Sequence, residues 1–241
     1  MSRHDTVAGL KVLITGSSSG IGRATAELLL QRGAAVVGIA RDHAKFAPDS
    51  ERYEPVTLDL SNLDATATAL DDLARAHQDV AAVISNAGAG RFGALEQFSA
   101  LQIRHDIDLN LTSHLLLARS FIPVLKRRNG GDLIIIGSAA ALRGARKGSV
   151  YCAAKFGLRG AAQALADECS RRGVRVTLVN PGFVRTPFFD ALDFEPADEP
   201  GSALTPEDIA AKLLEILESA GGAAYREINI DPPDPALRTK R

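Results

Sequence analysis

The stretch Lys11–Gly22 reads KVLITGSSSGIG: five residues of buried-strand character, a turn of glycine and serine, and the opening of a helical pattern that runs from Ile21 to Gln31. Glycine tolerates the backbone conformations that a sharp turn needs, and without a Cβ it lets a ligand approach the chain closely. The helix that follows presents its N-terminal N–H groups and the positive end of its dipole to whatever lies over the turn. The spacing is G-x-x-x-G-x-G, from Gly16 through Gly20 to Gly22, and not the commoner dinucleotide pattern G-x-G-x-x-G. A glycine turn alone is a weak signal. Its position between a strand and a helix makes Gly16, Ser17, Ser18, Ser19, Gly20, Ile21 and Gly22 candidates for holding a phosphate or a dinucleotide, with a purely structural turn as the competing reading.

Outward from this unit, short apolar runs continue to alternate with longer amphipathic segments. Strands are expected at Ala35–Ala40, Val56–Leu58, Val80–Ser85, Leu133–Gly137, Val174–Val179 and Arg226–Ile230. Helices are expected from a Ser61 cap to about Ala76, from Ser99 to Arg127 with a break at Pro123, and over Val150–Arg171 and Pro206–Ser219. The strands are continuous apolar runs, as a parallel sheet covered on both faces requires. Right-handed crossovers then make a doubly wound α/β sheet of seven strands, whose ligand crevice lies at the strands' carboxyl ends. The segment Glu195–Ser202 reads either as a lid or as a solvated loop, and the tail from Asp234 to Arg241 as frayed.

Composition limits what such a chain can be. In 241 residues, 28 Lys+Arg stand against 29 Asp+Glu, which gives neither a nucleic-acid footprint nor a polybasic membrane surface. Two cysteines, Cys152 and Cys169, exclude a disulfide scaffold and fit a reducing cytoplasm. His4, His43, His77, His105 and His114 are scattered without metal-ligand spacing, so no metal is expected. The start of the chain lacks an apolar run long enough for a signal peptide, and no later run reaches spanning length.

TGSSSGIG at Thr15–Gly22, SNAG at Ser85–Gly88, Asn110, Ser138, YCAAK at Tyr151–Lys155 and NPGFVRT at Asn180–Thr186 occur in one order along the chain. In order and spacing this set resembles the classical short-chain dehydrogenase/reductase family. The last strand, YREINIDPP at Tyr225–Pro233, loosely resembles that of the NADP-dependent alcohol dehydrogenase and 3-hydroxy acid dehydrogenase branch. The resemblance implies a single Rossmann-type domain over residues 1–241, with a mainly cofactor-binding half at 15–130, a catalytic and substrate half at 131–231, and a tail at 232–241. It also implies a homo-oligomer, tetramer or dimer, built through the long helices and the last strand. Two positions depart from the family: Ser85 stands where a second asparagine is common, and Ala154 where serine or threonine often stands.

Tyr151 and Lys155 are four apart in a helical segment and share one face. A phenol titrates near ~10, and an ammonium beside it would lower that value and make Tyr151 a workable acid or base near neutrality. Ser138 ends the isoleucine-rich strand, at the edge where the crevice lies. The resemblance assigns Tyr151 to proton transfer at a carbonyl oxygen, Ser138 to orienting that oxygen, Lys155 to the nicotinamide ribose, and Asn110 to a water that links Lys155 to solvent. Cys152, next to Tyr151, reads as a small buried residue.

The end of the second strand bears on the cofactor. Ala40 stands where NAD-preferring members carry an acid, and Arg41 follows where NADP-preferring members carry a base, which points to NADP (NADPH) over NAD. Arg41 would then act with Ser17 or Ser18 on the 2′-phosphate; Asp42 as the ribose acid is the competing reading. By resemblance Asp59 and Leu60 meet the adenine, Asn86, Ala87 and Gly88 wall the adenosine ribose, and Pro181, Gly182, Val184 and Thr186 flank the nicotinamide carboxamide and phosphates. For the substrate, Arg143, Arg146 and Lys147 suggest either a cationic mouth or a solvated loop, while Phe183, Phe188 and Phe189 suggest either a pocket lining or packing. The expected function is an NADP-dependent carbonyl/alcohol oxidoreductase acting on a small molecule. The alternatives are a 3-oxoacyl-thioester reductase and a non-catalytic dinucleotide-binding regulator.

Overall fold

The computed structural model describes residues 6–219 and 225–240. The expectations resting on residues 1–5, His4 among them, and on Arg241 lie outside the described residues. In chain order the elements are β1 (Lys11–Thr15), α1 (Gly20–Gln31), β2 (Ala35–Ala40), β3 (Tyr53–Thr57), α2 (Leu63–Ala76), β4 (Val80–Ser85), α3 (Ala100–Ile107) and α4 (Ser113–Arg127). They continue with β5 (Gly131–Ile136), α5 (Ser149–Ser170), β6 (Val174–Pro181), β7 (Phe194–Pro196), α6 (Pro206–Glu218), β8 (Glu227–Ile230) and β9 (Leu237–Thr239).

Seven strands form one parallel sheet in the order β3-β2-β1-β4-β5-β6-β8. Because side chains alternate along a strand, each central strand feeds two cores. Leu13, Val37, Val83, Leu133 and Ile135 pack with Leu70, Leu117, Phe121 and Leu158 of α2, α4 and α5. Val12, Ile14, Val36, Ile84 and Ile134 pack on the other face with Leu29 of α1 and Ile209 and Leu213 of α6. Every residue of β4 is buried, the physical reason its sequence lacks polar alternation. The doubly wound architecture is the expected one, and β1 and β4 meet at its centre, where the strand order reverses.

Four local expectations are corrected. The third strand is Tyr53–Thr57, not Val56–Leu58; β3 is a sheet edge, where Pro55 removes no inward hydrogen bond. The helix after it is capped by Asn62, whose side chain accepts from Ala65 N, and not by Ser61. The break within 99–127 falls not at Pro123, which lies inside α4, but at one π-turn, Asp108–Thr112, that holds Asn110. The tail is not frayed over its described part: β9 pairs antiparallel with β7.

Candidate active site

The glycine turn has φ of +70° at Gly16 and +51° at Gly20, values that a side chain disfavours. A Cβ at Gly16 would lie 2.9 Å from Asn86 Nδ2, and one at Gly22 would overlap the Gly16 carbonyl. Thr15 Oγ1 accepts from Asn86 N (2.9 Å) and Ala87 N (3.0 Å), and Asn86 Nδ2 donates to Thr15 O (3.0 Å). These bonds stitch the end of β1 to the end of β4 and set residues 86–88 beside the turn. Ser19 caps α1 without a side-chain hydrogen bond to its first turn, which leaves those N–H groups for an anion. Thr186 closes the opposite side, its Cγ2 3.1 Å from where a Gly20 Cβ would stand. Val184, in the same loop, bridges to Leu204. A cradle that tolerates no Cβ on its floor, with unpaired helix N–H groups at its lip, fits a dinucleotide pyrophosphate.

Ser17 lies elsewhere than its assigned place on the phosphate. It is fully buried beneath the turn, with Oγ 3.0 Å from the Tyr53 hydroxyl. Tyr53 in turn meets His43 Nδ1 at 3.3 Å, and His43 Nε2 bonds Val56 O at 3.1 Å. Ser18 is half-buried and Ser19 exposed, so these two reach the surface of the turn. Arg41 is exposed just past β2, whereas Asp42 turns back to accept from Ala44 N at 2.8 Å. Asp59 accepts from Ser61 N (3.0 Å) and Oγ (2.8 Å). Burial pushes its carboxyl up, but these bonds and the charges of Arg41 and His105 outweigh burial and hold it below its ordinary value. Leu60, next to it, is buried.

Asn110 is buried on the π-turn, where Nδ2 donates to Ala89 O and Asp106 O, both at 2.9 Å, and Oδ1 accepts from Ala89 N at 3.2 Å. A Cβ on Gly88 would stand 2.9 Å from Asn110 Oδ1 and 3.8 Å from Lys155 Nζ, so both groups close on that glycine. Lys155 is buried on α5 and donates to Ile136 O at 3.1 Å. Ser138 follows β5, its N–H held by Asn180 Oδ1 at 3.2 Å, its Oγ accepting from Ala140 N at 3.1 Å and lying near the Tyr151 phenol. The four expected catalytic groups thus converge on one end of the sheet.

Their electrostatics differ from expectation. Burial pushes the Tyr151 phenol up to about 12, against the lowering effect of the nearby Ser138 hydroxyl. Lys155 Nζ lies 5.8 Å from the Tyr151 ring centroid and bonds a carbonyl, and its charge does not outweigh what burial does to the phenol. Burial moves Lys155 itself down to about 8. Burial shifts both groups toward their uncharged forms because each is taken out of water.

Three features escaped the sequence. Ser85, the departure from the family pattern, bonds buried His114 Nδ1 at 2.6 Å; burial and then the Lys155 charge push that imidazole down to about 3. Phe92 and Phe194 join Phe188 around Tyr151: Phe92 and Phe188 lie 5.5 and 5.7 Å from its ring, and Phe92 and Phe194 lie 5.1 Å apart. β9 holds β7 in place. The only available signal was an aromatic residue, Phe92, in the loop after a strand's carboxyl end. Cys152 is buried as expected, its Sγ accepting from Ala145 N at 3.3 Å, and Arg143, Arg146 and Lys147 are exposed.

A family model described as short chain dehydrogenase matches residues 10–196. The sepiapterin reductase of Chlorobaculum tepidum is 28% identical over 92% of this chain and 95% of that protein. The 3-oxoacyl-[acyl-carrier-protein] reductase of Haemophilus influenzae is 30% identical over 90% of each. Among solved structures, a metagenomic short-chain oxidoreductase in complex with NADP is 32% identical, with a TM-score of 0.80 over 94% of this chain and 98% of that one. The glycine cradle, the buried Tyr151 and Lys155, the sheet order and these likenesses agree: the chain belongs to the short-chain dehydrogenase/reductase family of oxidoreductases.

Proposed function

We propose that the protein is an NADP-dependent oxidoreductase that interconverts a small ketone or aldehyde with its alcohol, with Tyr151 as the general acid/base. The observation that carries this reading is the convergence of Tyr151, the nearby Ser138 hydroxyl, Lys155 and Asn110 beside the glycine cradle. The nicotinamide, when bound, supplies or accepts the hydride. Ser138 orients the substrate oxygen and Tyr151 donates a proton to it on reduction. Lys155, protonated below about 8, places a positive charge where the phenolate then forms. Asn110 fixes the loop at Ala89 and keeps the wall beside Lys155 in place. Residues 15–130 would hold most of the cofactor and residues 131–231 the substrate. The retention of all four groups argues against a non-catalytic regulator.

For NADP in preference to NAD, the support is an exposed Arg41 beside Asp59, Ala40 in place of an acid, and an Asp42 engaged in its own turn. Arg41→Ala is expected to raise the NADPH KM about tenfold, ~1.4 kcal/mol for a lost phosphate contact, and to leave the NADH KM unchanged. Equal effects on both cofactors in steady-state assays would remove Arg41 from the 2′-phosphate.

A homo-oligomer, tetramer or dimer, is supported by apolar side chains left exposed on α3, α4 and α5, namely Leu101, Leu115 and Phe156, and by β8 at the sheet's edge. Sedimentation at micromolar concentration is expected to give a dimer or tetramer, and a monomer would overturn this. Among the described residues no helix is long and apolar enough to cross a membrane, in keeping with a cytoplasmic enzyme.

A further inference from the structure

Five aromatic rings form a closed circuit that includes the phenol of Tyr151. Successive centroids lie 5.5 Å apart from Tyr151 to Phe92, 5.1 Å to Phe194, 6.0 Å to Phe189, 5.2 Å to Phe188 and 5.7 Å back to Tyr151. The members come from three distant parts of the chain, and the circuit leaves Tyr151 only 8% exposed. A substrate that approaches the phenol through this circuit must move one ring aside.

Phe188 is the ring built to do so. It sits on a short turn, Pro187–Phe189, and its backbone N–H has a long 3.4 Å bond to Thr186 Oγ1. The rest of the lid is tied down. Lys240 donates from Nζ to Phe189 O (2.5 Å) and Asp190 O (3.2 Å), and from its backbone to Asp193 O (2.9 Å). Phe194 is paired with Thr239 in the β7–β9 ladder, and Arg238 binds Glu195 at 2.7 Å and also Asp198. Arg185 fixes the base of the lid through Ala197 O at 2.8 Å. The floor is moulded to a phenyl: a Cβ on Gly90 would overlap the Phe188 ring.

We infer that the substrate carbonyl carries an aryl or similarly flat apolar group, which takes the place of the Phe188 ring between Gly90 and Tyr151, and that β9 sets this selectivity by holding the remaining rings in register. The inference rests on the oxidoreductase reading of Tyr151 and names the substrate class for that site. A ring displaced by a ring keeps the tilted contact with Tyr151 and the edge-to-face contact with Phe189. A flexible acyl chain on a polar carrier would leave part of that space unfilled and would make none of those ring contacts.

The test measures NADPH oxidation with acetophenone and with the acetoacetyl thioester of N-acetylcysteamine, in the wild type, Tyr151→Phe, Phe188→Ala and the double variant Arg238→Ala/Lys240→Ala. The wild type is expected to favour acetophenone in kcat/KM by about tenfold or more. The double variant is expected to melt near the wild-type temperature, since Arg238 is exposed and Lys240 is only partly covered. It should raise the acetophenone KM and bring the ratio to about threefold or less. Phe188→Ala is expected to lower discrimination less, because the other four rings stay in register. Tyr151-dependent turnover that favours the thioester overturns the inference and leaves the oxidoreductase reading standing. An unchanged ratio in a folded double variant overturns the role of β9. Turnover of neither compound overturns the inference, and if no NADPH binds in a parallel fluorescence titration, the oxidoreductase reading falls with it.

Discussion

Tyr151→Phe is expected to lower kcat for carbonyl reduction about 10²–10⁴-fold, the usual worth of a positioned acid or base, with little change in NADPH affinity. The substitution keeps the ring, and so the packing against Phe92 and Phe188, and removes only the hydroxyl near Ser138. A loss of NADPH binding of the same size would mean that the fold of the site, and not the proton, had been removed. The pH profile gives a second reading. With the phenol at about 12, Tyr151 holds its proton throughout the neutral range and is available as an acid. Lys155, at about 8, loses its charge first. Wild-type reduction is therefore expected to be level at neutral pH and to fall as pH rises through about 8, because the forming phenolate loses the ammonium that offsets it. A profile with no break near that value would separate Lys155 from the proton step.

Lys155→Met is expected to abolish turnover and to stabilise the fold at neutral pH. Burial disfavours the ammonium in the native chain, lowering its value from 10.5 to about 8. Below about 8 both the folded and unfolded chains carry the proton, so the native state bears the full penalty, about 3 kcal/mol at 1.36 kcal/mol per pKa unit. Between about 8 and 10.5 the unfolded chain binds more protons than the native one, and stability rises with pH until the penalty is gone. The bond to Ile136 O, lost in the variant, offsets part of the gain. Tyr151 acts the other way only above its ordinary 10.0, and it is common to both proteins. Chemical denaturation of the pair should therefore give a methionine variant more stable at pH about 7 and a difference that closes toward pH about 10.5. A variant less stable at neutral pH would show that the ammonium is satisfied by its surroundings. Such a trade of stability for function is common where a charge must be held in a dry site.

Elements whose evidence lies within a few residues were legible. β1, β2 and β4 have the bounds expected of them, because an unbroken apolar run between turn residues is the local signature of a buried parallel strand. The cradle was legible for the same reason: Gly16, Gly20 and Gly22 carry the steric requirement in their own spacing. The candidate catalytic groups were legible as a set of motifs, with Ser138 after a strand, Tyr151 and Lys155 on one helix face, and Asn110 named by the family resemblance alone. Less was visible where two local signals competed. Pro123 was read as the break in the long helix, yet a proline that costs one hydrogen bond is tolerated in packed α4. The register instead shifts where Asn110 turns inward to bond Ala89.

What the sequence by itself determined about this protein is the doubly wound sheet and the glycine cradle, which follow from periodicity and from residue chemistry at short spacing; its candidate catalytic side chains were named by the family resemblance. Only the tertiary structure decided which way those groups titrate, where Ser17 points, and what surrounds the phenol. Desolvation is a property of the assembled neighbours, so burial overrode the pairing of Tyr151 with Lys155 that their spacing promised. The rings around Tyr151 and the β7–β9 ladder bring together residues from three separate stretches of chain, and no local pattern in Leu237–Thr239 announces that it will hold Phe194 over the site.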